Sequence, residues 1–428
     1  MFYEYLQKNM NIDERVIQLV KTTASELDVK FKNVDDIAAL NQTKILHAMQ
    51  SCRLSDTHFN NSTGYGYHDE GREVLERIFS HIFKTEAALV RPQLVSGTHA
   101  IASALFGNLR PHDELFSPVG KPYDTLESVI GIKPTNGSLA EYGIKYTQVD
   151  LFPDGGFDYD KIGTALMSKP KMVTIQRSKG YAWRPSLSID QIRRLIHFIK
   201  MHSPQSIVFV DNCYGEFVED KEPTEVGADL IAGSLIKNPG GGLAPGGGYI
   251  AGRADLVEAA ANRLTAPGLG SHVGPSLGMI RTLMHGLFLA PQTVASGIKG
   301  AILAEAVFHR LGFNTLPSAD DIRTDIVQAI ELKTPENVLA FCAGIQKAAP
   351  VDAFVTPEAA PMPGYSDGVV MAGGTFIQGS SIELSADAPL RPPYHVYFQG
   401  GLTSAHAFTG IVFAVNEMVR KKLISIGS

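Results

Sequence analysis

Ser234-Leu-Ile-Lys237-Asn-Pro-Gly240-Gly-Gly242 is the stretch from which the fold is read. Upstream, Ile207-Val-Phe-Val210 runs into Asp211-Asn-Cys-Tyr-Gly-Glu216. An uninterrupted apolar run of this length reads as a buried strand, and Asp211 falls where it ends. Asp229-Leu-Ile-Ala-Gly-Ser-Leu-Ile236 reads as the next strand, with Lys237 just past it. In an open α/β sheet, ligands bind outside the carboxyl ends of the strands. A carboxylate and a lysine at two such ends therefore mark a site. A lysine there has two physical options. One is a solvated ammonium on a loop, the fate of most lysines. The other is an amine that forms a Schiff base with an aldehyde cofactor. Leu235 and Ile236 precede it. Apolar neighbours that shield a lysine from water make its charged form costly, so both options stand at this point. Pyridoxal phosphate needs such a lysine for its aldehyde and an acidic partner for its ring nitrogen.

Outward from this stretch the rhythm is strand, helix, strand. Residues 145–151, 158–168, 171–176, 188–201 and 207–210 alternate in that way, which argues for a largely parallel sheet covered by helices. Upstream, a short strand runs into Ser96-Gly97-Thr98 and an Ala-rich helix starts there. Ser96 or Thr98 would cap that helix. The same geometry makes an anion site, since free backbone N–H groups point outward and Gly97 lets a phosphate come close. A second strand–loop–helix passage carries Tyr123, placed either to stack on a flat ring or to pack on the sheet. The run Gln176-Arg-Ser-Lys-Gly-Tyr-Ala-Trp-Arg184 lies at another strand end and reads as a pocket wall. Its arginines would hold a substrate carboxylate or make structural ion pairs. The glycines after Lys237 are neither a GxGxxG nor a P-loop.

These segments carry a specific resemblance. Asp211-Asn212 with Ser234…Lys237 resembles the signature of the cystathionine/methionine lyase group of pyridoxal-phosphate enzymes. Gly64-Tyr-Gly-Tyr67, Ser96-Gly-Thr-His99, Gln176 to Pro185, and Gly379-Ser-Ser-Ile-Glu-Leu-Ser-Ala-Asp387 resemble one branch of it. That branch is the methionine γ-lyase-like family often labelled "aluminium resistance protein". The resemblance spans nearly the whole chain. It implies the fold type I architecture of the aspartate aminotransferases, an α/β domain with a mostly parallel sheet plus a smaller α+β C-terminal domain. It also implies pyridoxal 5'-phosphate as cofactor, and carbon–sulfur bond cleavage by β- or γ-elimination on a cystathionine-, cysteine- or methionine-type amino acid.

Residue by residue, the resemblance implies a Schiff base on Lys237 and a ring-nitrogen partner in Asp211. Tyr123 would cover the ring, and Ser178 would meet its oxygen. Ser96, Gly97, Thr98 and Ser234 would hold the phosphate. Tyr67 and Arg72 would reach across to the partner subunit's cofactor, although the family's usual tyrosine–arginine spacing is not kept. Tyr65 competes for the tyrosine role and is a candidate substrate contact. Arg391 is the candidate for the substrate α-carboxylate, a task suited to a bidentate guanidinium; a surface arginine at a proline-rich turn is the plain alternative. The family is usually a dimer or a dimer of dimers with shared sites.

Composition narrows the rest. At 428 residues the chain should form two to three domains. The expected division is a helical arm at 1–54, a large cofactor domain at 55–300 and a small domain at 301–428. A net charge of −6 leaves no basic footprint for nucleic acid. Three widely spaced cysteines form no disulfide framework and fit a reducing cytoplasm. The apolar region 277–308 is broken by Arg281, His285, Lys299 and Glu305, which reads as a buried helix rather than a membrane span. The scattered histidines show no metal-ligand spacing. Other outcomes of the same cofactor remain open, namely transamination, decarboxylation or γ-replacement, as does a protein that binds a metabolite without turnover.

Overall fold

The computed structural model describes residues 1–362 and 367–426. The chain divides into two compact units. One holds Leu40–Ala290, and the other holds Met1–Ala39 together with Pro291–Ser428. The sequence reading set its boundaries at 54 and 300. Packing instead changes hands within two helices, Asp28–Ser51 and Ile280–Arg310.

The unit Leu40–Ala290 is built on a seven-stranded sheet. Its strands are β1 (Ala87–Arg91), β2 (Glu114–Ser117), β3 (Lys145–Gln148), β4 (Met172–Gln176), β5 (Ile207–Asp211), β6 (Leu230–Ser234) and β7 (Gly248–Gly252). The spatial order is β1-β7-β6-β5-β4-β2-β3. The run from β3 to β6 is parallel, and β7 alone runs against its neighbours. Strands β5, β6 and β7 are buried along their whole length, as a sheet covered on both faces requires. The covering helices start where the sequence supplies caps. Ser188 and Gln191 make a reciprocal capping box on helix Ile189–His202. Asp69 caps helix Glu70–Phe83 by accepting from Arg72 N.

Register brings the strand ends together. Gln176 of β4 pairs with Asp211 of β5, and Asp211 pairs with Ala232 of β6. Ser234 closes β6 opposite Gly248. The glycine-rich turn after Lys237 is seated by close backbone packing. A Cβ at Gly286 would stand 2.2 Å from the Gly240 carbonyl oxygen, and one at Gly240 would stand 1.8 Å from that of Leu235.

The other unit carries a six-stranded sheet in which every pairing is antiparallel. Its strands are β8 (Asn314–Leu316), β9 (Gln328–Glu331), β10 (Ala359–Ala360), β11 (Val369–Ala372), β12 (Ser385–Pro389) and β13 (His395–Gln399), ordered β10-β11-β12-β13-β9-β8. Helices Pro335–Lys347 and Ser404–Arg420 pack tightly on each other. A Cβ at Gly344 would lie 2.4 Å from Ala414 Cα. Strand β11 stops at Ala372. Gly374 approaches the Val351 carbonyl too closely for any side chain, and the Glu383 carboxylate then accepts from Phe376 N and Ile377 N at 2.9 Å each. Helix Ile280–Arg310 is the one described helix long and apolar enough to cross a membrane. Its most apolar window is 78% buried inside the protein, which is how a core helix behaves.

Gly286→Ala should test the seat of the Lys237 turn. The new methyl group meets backbone rather than a movable side chain, so unfolding in urea should show a loss of about 1–3 kcal/mol.

Candidate active site

The carboxyl ends of β5 and β6 bring together the residues on which the sequence reading turned. Lys237 follows β6 and is half-buried. Its ammonium lies over the Tyr214 ring, 3.9 Å from the centroid. Burial works against that charge, but Cys213, Tyr214, Asp211 and Tyr123 face it and outweigh burial, holding the pKa well above the ordinary lysine value. The sequence reading expected the apolar flanks to make this proton easier to lose. In the folded chain the four facing groups reverse that sign.

Asp211 is buried at the last position of β5. Burial pushes its carboxyl up, against the pull of Lys237 and a hydrogen bond from Cys213 N at 3.1 Å. Tyr123 stands at the start of helix Asp124–Ile130, where its backbone N–H donates to Gln176 Oε1 at 2.8 Å. Its hydroxyl lies 2.9 Å from Thr98 Oγ1, which also meets Thr125 Oγ1 at 3.2 Å. Burial and then Asp211 push the Tyr123 phenol up, so it stays protonated.

Ser96 caps helix Gly97–Asn108 by accepting from His99 N at 3.1 Å. Behind that helix start lies β6. A Cβ on Gly97 would sit 3.1 Å from Ser234 Cβ and 3.5 Å from Cys213 Sγ. Glycine therefore keeps open the approach between the helix N-terminus and the strand end, and the free N–H groups of that first turn suit an anion. The arrangement as a whole fits pyridoxal phosphate. It offers an amine, a carboxylate, an aromatic face and an anion cup at the ends of neighbouring strands.

Tyr214 is the member that sequence reasoning missed. It holds a left-handed backbone, φ 71°, which a bulky residue adopts only under constraint. The available signal was its place three residues after Asp211 at a strand end, beside the lysine.

Other expected residues take different places. Arg72 is buried, and its guanidinium donates to the carbonyls of Gly66 at 2.7 Å and Gly274 at 2.8 Å. It clamps loop 60–69 to segment 271–277 instead of reaching outward. Asp69 fastens the same junction through Arg72 N and Ser276 N. Tyr65 and Tyr67 on that loop are exposed, 70% and 58%, and stack on each other at 5.4 Å. Arg177 is wholly buried against Glu219 at 2.7 Å and Asn212 at 2.8 Å, and Arg184 donates to the carbonyls of Pro185, Gln176 and Ser178. Of the two roles open to these arginines, the structural one is what the geometry shows. Ser178 is buried, and its carbonyl accepts from Gln176 Nε2 at 2.9 Å. Arg391, in the other unit, is about half exposed and pairs with Asp367 at 2.7 Å. No cluster of metal-ligating side chains occurs among the described residues.

Known proteins are similar to this chain over nearly its whole length. The methionine gamma-lyase family model matches residues 16–419. The uncharacterized protein YnbB of Bacillus subtilis is 51% identical over 413 residues, which is 95% of this chain and 98% of that protein. The structure of a carbon-sulfur lyase involved in aluminum resistance from Clostridium novyi is 48% identical, with a TM-score of 0.93 over 97% of this chain and 98% of that one. A pyridoxal-5'-phosphate dependent protein, YhfS from Escherichia coli, shares the fold at 15% identity, with a TM-score of 0.61 over 90% of this chain and 97% of that one.

Arg72→Met separates a clamp from a reaching arm. Loss of its bonds to two carbonyls should cost about 1–3 kcal/mol in urea unfolding of the protein without cofactor. An arm that served only a partner's cofactor would leave that value unchanged.

Proposed function

The chain belongs to the methionine gamma-lyase family, and we propose that it is a pyridoxal-phosphate-dependent carbon–sulfur lyase. Its substrate would be a sulfur amino acid of the cystathionine, cysteine or methionine type. The observation that carries this reading is Lys237, its ammonium ringed by Asp211, Tyr123 and Tyr214 at adjacent strand ends. The carbon–sulfur lyase of Clostridium novyi, nearly half identical over almost the whole chain, supports it.

Lys237 would hold the cofactor aldehyde, Asp211 its ring nitrogen, and Tyr123 a ring face. Gly97 and Thr98, with Ser96 and Ser234, would form the phosphate cup, and Ser178 would meet the ring oxygen. When bound, pyridoxal phosphate supplies an electron sink for the carbon that bears the amino group. The chain's own residues then move the protons. Lys237, freed as an amine when substrate takes its place, accepts the proton from the substrate Cα. For sulfur on Cβ, the carbon–sulfur bond would then break with its electron pair on sulfur. For sulfur on Cγ, a proton must first leave Cβ as well. In both cases the ammonium of Lys237 would return a proton to the leaving thiolate. Water completes release of a keto acid and ammonia. Asp211 keeps a negative charge where the ring needs its proton. Tyr123 stays neutral and holds its place through Thr98.

Self-association belongs to the same reading. The stacked, exposed pair Tyr65–Tyr67 sits on the loop that the family resemblance turns toward a second subunit, and a homodimer or homotetramer would cover it. The free cysteines Cys52, Cys213 and Cys342 are consistent with a cytoplasmic location.

Two measurements test the proposal. Protein incubated with pyridoxal phosphate should gain a visible absorbance band, and borohydride should abolish it and fix the cofactor to the peptide that contains Lys237. Lys237→Ala should show neither effect. Thiol and keto acid should then appear from cystathionine, cysteine or methionine, with Asp211→Asn slower by about 10²–10⁴-fold. Cofactor capture without thiol release would redirect the reading to transamination, decarboxylation or γ-replacement. No capture at all would overturn it.

A further inference from the structure

Glu216 is a buried carboxyl that the proposed chemistry leaves unused. It lies on the face of β6 opposite the anion cup. Successive strand residues point to opposite faces, and Ser234 faces Gly97 while a Cβ on Gly233 would stand 2.6 Å from Glu216 Oε1 and 2.6 Å from the Tyr249 ring. The Tyr249 hydroxyl donates to Glu216 Oε1 at 2.8 Å. Phe79 and Phe83 pack on the same tyrosine ring at 5.7 and 5.2 Å, so this environment is apolar.

The backbone of this segment holds the residue after Lys237. Asn238 Nδ2 donates to the carbonyl of Glu216 at 2.9 Å and to that of Tyr214 at 3.0 Å. Two buried oxygens here have no hydrogen-bond partner among the described residues, Glu216 Oε2 and Asn238 Oδ1. Two bare acceptors buried at one turn are costly. A proton on the Glu216 carboxyl removes the charge from one of them.

We propose that Glu216 is a positioning residue for Lys237: its backbone carbonyl holds the Asn238 turn, and its carboxyl, sealed behind β6, is a neutral acid whose charge the lysine feels only when the proton is lost. This rests on the reading of Lys237 as the cofactor lysine. Burial dominates the surroundings and pushes the Glu216 carboxyl up to about 8, aided by Glu222 and opposed by its own N–H, the Tyr249 hydroxyl and Lys237. Cys213 faces it from the β5 end, and Arg177 packs against Gly215 beside it. Neutral at pH 7, Glu216 leaves Asp211 as the anion nearest the amine's chemistry. Ionised, it adds a second anion behind Lys237 and holds the ammonium more tightly. The sign for stability follows. An acid whose proton is held more tightly in the folded chain contributes stability that is full below about 4.5 and is lost as pH rises through about 8.

The test uses the full chain without cofactor. Infrared difference spectra between wild type and Glu216→Gln should show a protonated carboxyl band at pH 6 that disappears with a midpoint near 8. Competitive acetylation of Lys237 by acetic anhydride, read by peptide mass spectrometry, should follow one curve for both proteins below pH 7. At pH 9 the Gln variant should be up to about tenfold more reactive, the equivalent of one pKa unit at the lysine. Tyr249→Phe removes the donor to the carboxylate and should move the infrared midpoint upward. A carboxylate band in wild type at pH 6, or coincident acetylation curves through pH 10, would overturn the inference. Borohydride capture of pyridoxal phosphate by the same proteins is a separate arm. Its failure in wild type would sink the proposed function and leave the acetylation curves to decide on Glu216.

Discussion

The ammonium of Lys237 is the charge that the sheet of Leu40–Ala290 has to accommodate. A half-buried cation at the end of a fully buried strand persists only if something answers it. Here the answer comes from the end of β5, with Asp211, Cys213 and Tyr214 within four consecutive residues, and from Tyr123 on the next loop. That requirement fixes much else. Strands β5 and β6 must be parallel and adjacent, so that both carboxyl ends open on one side. The β6 end passes close to helix Gly97–Asn108, so a side chain at Gly97 would press on Ser234. The turn after Lys237 must be held without bulk, which Gly240 and Gly286 achieve by backbone contact.

The two lysine-facing strand ends were legible because their signal is local. An apolar run that stops at a charged residue gives both the element and the place of the charge. The parallel sheet was legible for the same reason, through its alternation with capped helices. The roles of the arginines were not. Arg72, Arg177 and Arg184 look alike in sequence, each a cation in a loop or near a strand end. Their roles are set by which carbonyls and carboxylates the fold places within reach, and those partners lie up to 202 residues away in the case of Arg72 and Gly274. Tyr214 was hidden by its strained backbone, since no pattern of hydrophobicity announces a residue held at positive φ.

Buried arginine serves a second purpose at the end of β1, where Arg91 pairs with Gly248, the same residue that faces Ser234. Arg91 donates to Glu76 and to the carbonyls of Val273 and Ser271, while Arg72 takes those of Gly66 and Gly274. Two guanidiniums thus satisfy the carbonyls of Ser271, Val273 and Gly274 and tie them to that of Gly66 in the neighbouring loop. This binds the loop that displays Tyr65 and Tyr67 to a rigid base. The two rings can remain exposed and stacked because the backbone beneath them is fixed, and a surface so presented suits contact with another chain better than a free loop would.

The same economy of space explains why Gly233 matters beyond β6. Its missing side chain lets Glu216 and Tyr249 approach the strand from behind, while Ser234, one residue on, meets the anion cup in front. A single Cβ at 233 would displace the carboxyl and the ring together. The strand is therefore a thin wall between two polar sites, one open to solvent and one sealed among aromatic rings. Charge on the sealed side is expensive, and charge on the open side is what the site is for. A neutral acid at Glu216 reconciles the two, because it accepts from Tyr249 on the sealed side, while its backbone carbonyl holds the turn, without placing a second anion beneath the amine.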